Sequence, residues 1–200
     1  DWRRIIYAFL IWASVTSILV VGDYLFNPNS YEWNFNVQRF TLLFLIAIIL
    51  IPIQTSLEEF IFRGYLMQGF AGLFKNTWAP LLMTSIIFGC LHIFNPEVEK
   101  LGNRILIYYI RTGIFLGIMT LMDGGIELAL GFHAANNLIT ALLVTSNWTA
   151  FQTESIFLDI SDPSIGFEVI FPLLVIYPLF LFIVSKKYKL SNWKNRLLNT

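Results

Sequence analysis

Charge is scarce in this 200-residue chain. Lysine and arginine number 13, aspartate and glutamate 13, and together they make up 13% of the residues. A soluble domain carries about twice that share, so the composition excludes an ordinary soluble globular protein. The balance is zero, which leaves no overall basic footprint for nucleic acid. Only one cysteine is present, Cys90, and it excludes an internal disulfide framework. Histidine occurs only twice, as His92 and His133, so any histidine chemistry falls to those two positions. Repeats and low-complexity segments are absent. What fills the chain is apolar: 56% hydrophobic residues, 16% aromatic, and a mean hydropathy of +0.67.

The apolar residues are gathered into charge-free runs at residues 5–22, 40–57, 76–96, 112–122, 128–153 and 169–185. Most reach the ~18 residues expected of a membrane-spanning helix. The fourth becomes a span over 104–122 once Arg111 is accepted inside it. The expectation is an all-α fold: a polytopic membrane bundle of about six transmembrane helices, forming one domain over 1–200. Arg3 and Arg4 before the first run suggest a signal peptide, but the run exceeds a signal h-region and no small-x-small site follows, so it reads as a retained helix.

Basic residues flank the ends: Arg3 and Arg4 before the first run, and Lys186, Lys187, Lys189, Lys194 and Arg196 after the last. Acids dominate the loop at 147–167, with Glu154, Asp159 and Asp162. The positive-inside rule places both termini in the cytoplasm. The basic tail beside a helix end reads as an orientation signal or an anionic-lipid contact, with no nucleic-acid partner. Asp23 and Glu168 fall at span ends and read as solvated. Trp78, Trp148 and Trp193 fit interfacial belts. Asn147-Trp148-Thr149 matches a glycosylation sequon. Nothing in the sequence marks an oligomeric state.

Against this background Glu58 and Glu59 stand out, at the end of an apolar run and four residues before Arg63. Charge near the centre of a membrane helix costs roughly 2.5–3.5 kcal/mol per residue on insertion scales and usually faces a protein interior or a watery cavity. Glu59 and Arg63 are i,i+4 and share a helix face, while Glu58 points about 100° away and is free for another task. Phe88 and His92 repeat the spacing in the third run, and His133 and Asn137 repeat it in the fifth. Gly131, Ala134 and Ala135 beside His133 suit close helix packing. Pro52, six residues before Glu58, removes a helical hydrogen bond and favours a widened cavity; Pro172 and Pro178 read as shape only. With ~1.5 Å per residue, the three helices bring the polar groups to one pocket, expected to open on the cytoplasmic side. Arg111 is expected to form an ion pair with Glu127 or Glu59.

Glu58-Glu59-x-x-x-Arg63, Phe88-x-x-x-His92 and His133-x-x-x-Asn137 together resemble the three motifs of the CAAX protease and bacteriocin-processing family, also called CPBP or Abi. Arg63-Gly64 and Asp123-Gly124-Gly125 resemble it too, and the motif-bearing core covers about 40–145. The resemblance implies an intramembrane endopeptidase acting on a membrane-associated peptide or protein. It implies catalytic roles for Glu58 as the base that activates water, His92 as the group that holds that water, and His133 with Asn137 as an oxyanion hole. Glu59, Arg63 and Phe88 then support the site.

The residues bear that chemistry on their own terms. No serine is paired with a base on its helix face, whereas a carboxylate with a histidine can deprotonate water, a contribution of ~10²–10⁴-fold. Neutral His133 and the Asn137 amide are expected as donors to the oxyanion. No cofactor is required in this reading. The competing version is a zinc site built from Glu58, His92 and His133, against which stands the lack of an H-E-x-x-H motif. Two other classes remain: a proton-coupled transporter, disfavoured by the lack of an inverted repeat, and a non-catalytic immunity or regulatory protein. The composition suits a low-GC bacterium and its plasma membrane.

Overall fold

A computed structural model describes residues 1–166 and 170–198. Glu168 and the first residue of the sixth apolar run, Val169, lie outside the described residues. The long helices are α1 (Trp2–Phe26), α2 (Val37–Glu59), α4 (Trp78–Cys90), α6 (Leu106–Asp123), α7 (Glu127–Leu143) and α8 (Tyr177–Tyr188). α2 runs on through a π-helical stretch, Phe60–Leu66, into α3 (Met67–Phe74). The described residues also form two short helices, α5 (Pro96–Leu101) and α9 (Trp193–Leu198), and a π-helical stretch, Pro172–Ile176, that leads into α8.

Among the described residues three helical stretches are long and apolar enough to cross a membrane: Trp2–Phe26, the 38-residue Val37–Phe74, and Asn103–Asp123. α4 is equally apolar but shorter, at 13 residues. Two expected spans are cut short. The run 76–96 leaves helix at Cys90 and continues as turns, and the run 128–153 leaves helix at Leu143. At Val144 the backbone switches to extended angles, φ −140° and ψ 139°, at a β-branched pair, Val144-Thr145, that fits a pleated surface better than a helix.

α7 is the axis of the bundle. α1 lies parallel to it, close enough that a Cβ on Gly131 would overlap the Ile5 carbonyl oxygen. α2 packs antiparallel on its other side, with Ala47 and Ile51 against Leu138, Ala141 and Leu142. α4 and α6 form an antiparallel pair in which a Cβ on Gly113 would stand 3.0 Å from Ser85 Cα. Small residues allow such approach, and in lipid it is close packing that drives helix association. An aromatic core of Trp12, Phe115, Phe132, Tyr177 and Phe180 joins α1, α6, α7 and α8. Ile6, Leu10 and Ile18 of α1 and Leu42, Ile49 and Ile53 of α2 are exposed. Lipid tails solvate such side chains as well as a protein core does.

The two ends of the bundle differ. At one, Asp123 pairs with Arg4, and the Arg196 guanidinium donates to the Met122 carbonyl at 2.6 Å. Gly124, at φ 73°, supplies the left-handed turn after α6. At the other end three short strands make a small sheet of order β1-β3-β2: β1 (Tyr31–Trp33) antiparallel to β3 (Phe157–Asp159), and β3 parallel to β2 (Val144–Ser146). Phe157 packs against Tyr24, Tyr31 and Trp33, which anchors the sheet to the end of α1.

Candidate active site

Glu58 and Glu59, adjacent in sequence, are separated by environment. The Glu58 side chain retains 28% exposure and lines a cavity of about 660 Å³; that of Glu59 is fully buried behind it. His92, His133 and Asn137 line the same cavity, so α2, α7 and the turns after α4 deliver their polar groups to one space. Glu58 sits at the last turn of α2, just before the chain widens into the π-helix. Such bulges are frequent at functional sites.

Behind the cavity wall Glu59 Oε1 accepts from Arg63 Nη1 at 3.0 Å. The same oxygen lies 2.7 Å from His133 Nδ1. Arg63 is also buried; its Nη2 donates to the Gly113 carbonyl at 3.1 Å and its guanidinium lies 4.8 Å from the Phe88 ring centre. Glu59 therefore braces two partners, one of them in the site itself. The sequence shows the first by its i,i+4 spacing. The second spans 74 residues and has no local signature.

Hydrogen-bond direction then fixes what each ring can do. A carboxylate only accepts, so His133 Nδ1 carries a proton and donates it to Glu59. The opposite nitrogen, Nε2, faces Glu58 Oε2 at 3.8 Å. A neutral His133 with its proton on Nδ1 offers only a lone pair there; donation from Nε2 as well requires the imidazolium form. As an imidazolium it donates from both nitrogens, and Glu58, Glu59, Arg63 and His133 then sum to zero charge. The same logic applies to His92. Its Nδ1 lies 2.8 Å from the Phe88 carbonyl oxygen, which also only accepts, so the neutral ring leaves Nε2 as a bare lone pair. Phe88 thus contributes its backbone to His92 and its ring to Arg63.

Asn137 is oriented by a relay from α1. The Trp12 indole can only donate, and it does so to Asn136 Oδ1 at 3.1 Å. Asn136 Nδ2 is thereby turned to Asn137 Oδ1, at 3.2 Å. Among the described residues the Asn137 amide nitrogen has no recorded acceptor, which leaves it as a donor on the cavity wall.

The chain matches, over residues 37–139, the family described as type II CAAX prenyl endopeptidase Rce1-like. It belongs to that family. It is also 40% identical over 149 residues to the uncharacterized protein YyaK of Bacillus subtilis (strain 168), an alignment covering 72% of this chain and 49% of YyaK. The chain thus spans about half the length of that relative. No solved structure matches it.

As an Rce1-like chain it shows three departures from what its sequence suggests. Arg111 is exposed, and no ion pair joins it to either expected partner among the described residues: Glu59 is taken by Arg63 and His133, and Glu127 makes no bridge to it. Trp148, expected in an interfacial belt, lines the cavity instead, together with Thr149, Ala150 and Phe151. Finally, the cavity reaches the end of the bundle that carries the sheet, where Val144, Thr145, Ser146 and Asp159 line it. That end is opposite the basic termini. α4 and α7 stop at Cys90 and Leu143, so the turns and strand that follow them contribute to the cavity wall at the sheet end.

Sequence reasoning also passed over groups that hold the site. Gln54, one turn before Glu58, hydrogen-bonds Glu58 Oε1 through its amide nitrogen, and its i,i+4 spacing is a signal that could have found it. Glu97 and Tyr109, both on the cavity wall, pair at 2.6 Å. Among the described residues no three His, Cys, Asp or Glu side chains are grouped as a metal site requires.

Proposed function

We propose that this protein is an intramembrane endopeptidase that hydrolyses a peptide bond near the terminus of a membrane-associated peptide or protein, with water activated by Glu58. The observation that carries the reading is the facing pair Glu58 Oε2 and His133 Nε2, 3.8 Å apart on the wall of one cavity. Membership of a peptidase family supports it, as do three helices of membrane-crossing length. The relative in a bacterium supports the bacterial plasma membrane as its place.

In this mechanism Gln54 occupies Glu58 Oε1, so Oε2 takes the proton from water while the water oxygen attacks the scissile carbonyl carbon. His92 Nε2, kept free of a proton by the Nδ1 bond to Phe88, accepts from the water's other hydrogen and orients it. The carbonyl oxygen becomes the oxyanion and receives the Asn137 amide N–H. As Glu58 is neutralised by the incoming proton, the His133 Nε2–H loses its carboxylate partner and turns to the oxyanion. The intermediate collapses, the C–N bond breaks, and the proton on Glu58 passes to the leaving amine. No metal takes part in this scheme.

The positive-inside rule places the basic termini in the cytoplasm, so the cavity faces the outer side of the membrane and takes a substrate presented there. The test is cleavage of quenched fluorescent peptides, one farnesylated with a Cys-aliphatic-aliphatic-X end and one unmodified apolar leader-like peptide, by protein reconstituted in liposomes. Glu58→Gln is expected to lower the rate by ~10²–10⁴-fold. Equal rates in wild type and Glu58→Gln overturn the role of Glu58. A wild type that cleaves neither peptide nor any peptide of a membrane extract favours the non-catalytic class, and proton flux lost in Glu58→Gln favours transport.

A further inference from the structure

His92 stands outside regular helix. α4 ends at Cys90, and His92 lies in a run of turns held by backbone bonds to Gly89 and from Asn95. A ring on such a segment needs external support to keep its Nε2 aimed at a reacting water. One support is the Phe88 carbonyl. The other is Tyr109 of α6, whose ring stacks on the imidazole with centres 4.1 Å apart and planes 18° from parallel. Tyr109 is itself held by Glu97 of α5, where its hydroxyl donates to Oε1 at 2.6 Å, the length of a charge-assisted bond.

Glu97 is a buried carboxylate with no basic partner among the described residues. Its burial is compensated by donors alone: the Tyr109 hydroxyl, the Ala150 backbone N–H on Oε2 at 3.0 Å, and the Asn95 amide at 3.5 Å. A carboxylate at such a place is costly unless hydrogen-bonded, and every one of those bonds ties down a residue of the cavity wall that His92 shares. Asn95 ends the turn run that carries His92. Ala150 belongs to the segment that covers the cavity. Tyr109 faces the ring.

We infer that Glu97 and Tyr109 are positioning residues for His92: the buried Glu97 carboxylate fixes the Tyr109 ring, and the ring fixes the imidazole plane against the cavity. This rests on the proposed peptidase reading for its kinetic consequence, but its geometric content stands without it.

The chain's two histidines make the test direct. Protein labelled with ¹³C-histidine and held in detergent micelles gives one ring Cε1–H signal for His92 and one for His133, assigned by His92→Gln. Tyr109→Leu removes the stacked ring and is expected to move the His92 signal downfield while leaving His133 in place. Tyr109→Phe keeps the ring, loses the bond to Glu97, and is expected to give a smaller displacement with a broader line. With a cleavable peptide, kcat falls about 10²-fold in Tyr109→Leu, the loss a ~1 Å misplacement can bring, and by less than that in Tyr109→Phe, which keeps the stacked ring. KM changes less than twofold in both. An unmoved His92 signal in Tyr109→Leu, equal shifts of both histidines, or a loss confined to KM overturns the inference. If wild type cleaves nothing, the His92 signals still decide the positioning role, so that failure belongs to the peptidase reading alone.

Discussion

Replacing Glu59 by glutamine tests the arrangement behind the cavity wall. The side chain keeps its shape and loses its charge. In the native protein a single oxygen, Oε1, receives both Arg63 Nη1 at 3.0 Å and His133 Nδ1 at 2.7 Å, with all three side chains almost completely removed from solvent. Hydrogen bonds to charged groups contribute about 1.5–3 kcal/mol each, which puts the pair at about 3–6 kcal/mol. Breaking a buried ion pair by removing one partner costs about 3–5 kcal/mol, so two routes agree. Arg63 has little to fall back on. Its Nε already lacks a partner and its other recorded bond is to the Gly113 carbonyl.

The measurement is unfolding in mixed micelles by denaturing detergent, followed by tryptophan fluorescence, for wild type, Glu59→Gln, Arg63→Met and the double variant. Glu59→Gln is expected to lose about 3–5 kcal/mol. The double variant is expected to lose clearly less than the sum of the two singles, because no unpaired guanidinium is left behind. The kinetic expectation is separate: serine proteases lose about 10⁴ in kcat when the carboxylate that orients their histidine becomes an amide, and Glu59→Gln stands in the same relation to His133. A stability loss below about 1 kcal/mol, or additive singles, would mean that Glu59 and Arg63 are not a coupled buried pair. Retained turnover would mean that His133 needs no orientation from Glu59.

Three further outcomes follow from the geometry. Gly131→Ala forces a methyl group into the Ile5 carbonyl oxygen and against Ala8 Cβ at 3.0 Å; overpacking of this kind costs about 1–3 kcal/mol, read by the same unfolding assay, and an unchanged midpoint refutes the parallel α1–α7 contact. Chelator-treated protein is expected to keep its peptidase rate and to contain no zinc by mass spectrometry, whereas stoichiometric zinc that tracks activity would replace water activation by Glu58 with metal chemistry. In a Cys90→Ala background, Asn147→Cys is expected to react with an impermeant maleimide from outside intact cells and Asn192→Cys only after lysis. The reverse pattern would place the cavity on the cytoplasmic side.

Much of the bundle could be read from hydropathy, because a stretch such as 5–22 or 40–57 has few ways to satisfy its backbone in lipid except as helix. The ends of helices were harder. In the charge-free run 128–153 the β-branched pair Val144-Thr145 is a weak local signal for a stop at Leu143, and the stop depends on Val144–Ser146 finding β3 as a parallel partner. That pairing is a tertiary fact. The aromatic contacts among Tyr24, Tyr31, Trp33 and Phe157 that hold the sheet are equally remote in sequence.

The candidate site shows the same division at finer scale. Glu59 with Arg63, Phe88 with His92 and His133 with Asn137 are visible because a helix turns i,i+4 spacing into a shared face. What gives those groups their chemical direction is not local. The proton on His133 Nδ1 is directed by a carboxylate 74 residues away, and the Asn137 amide is set through Asn136 by an indole 124 residues from Asn136. Glu97 reads in sequence as an ordinary acid in the first turn of a short helix after Pro96, where the helix dipole already accounts for it; only its burial and its three donors mark it as something else. Residue type and spacing thus locate an acid–base site, while hydrogen-bond direction decides which ring nitrogen is held by the protein and which faces the cavity. In this protein those directions come from contacts among α1, α2, α5, α6 and α7, so a substitution at Trp12, Glu59 or Glu97 can alter the chemistry of a site in which none of the three is the reacting group.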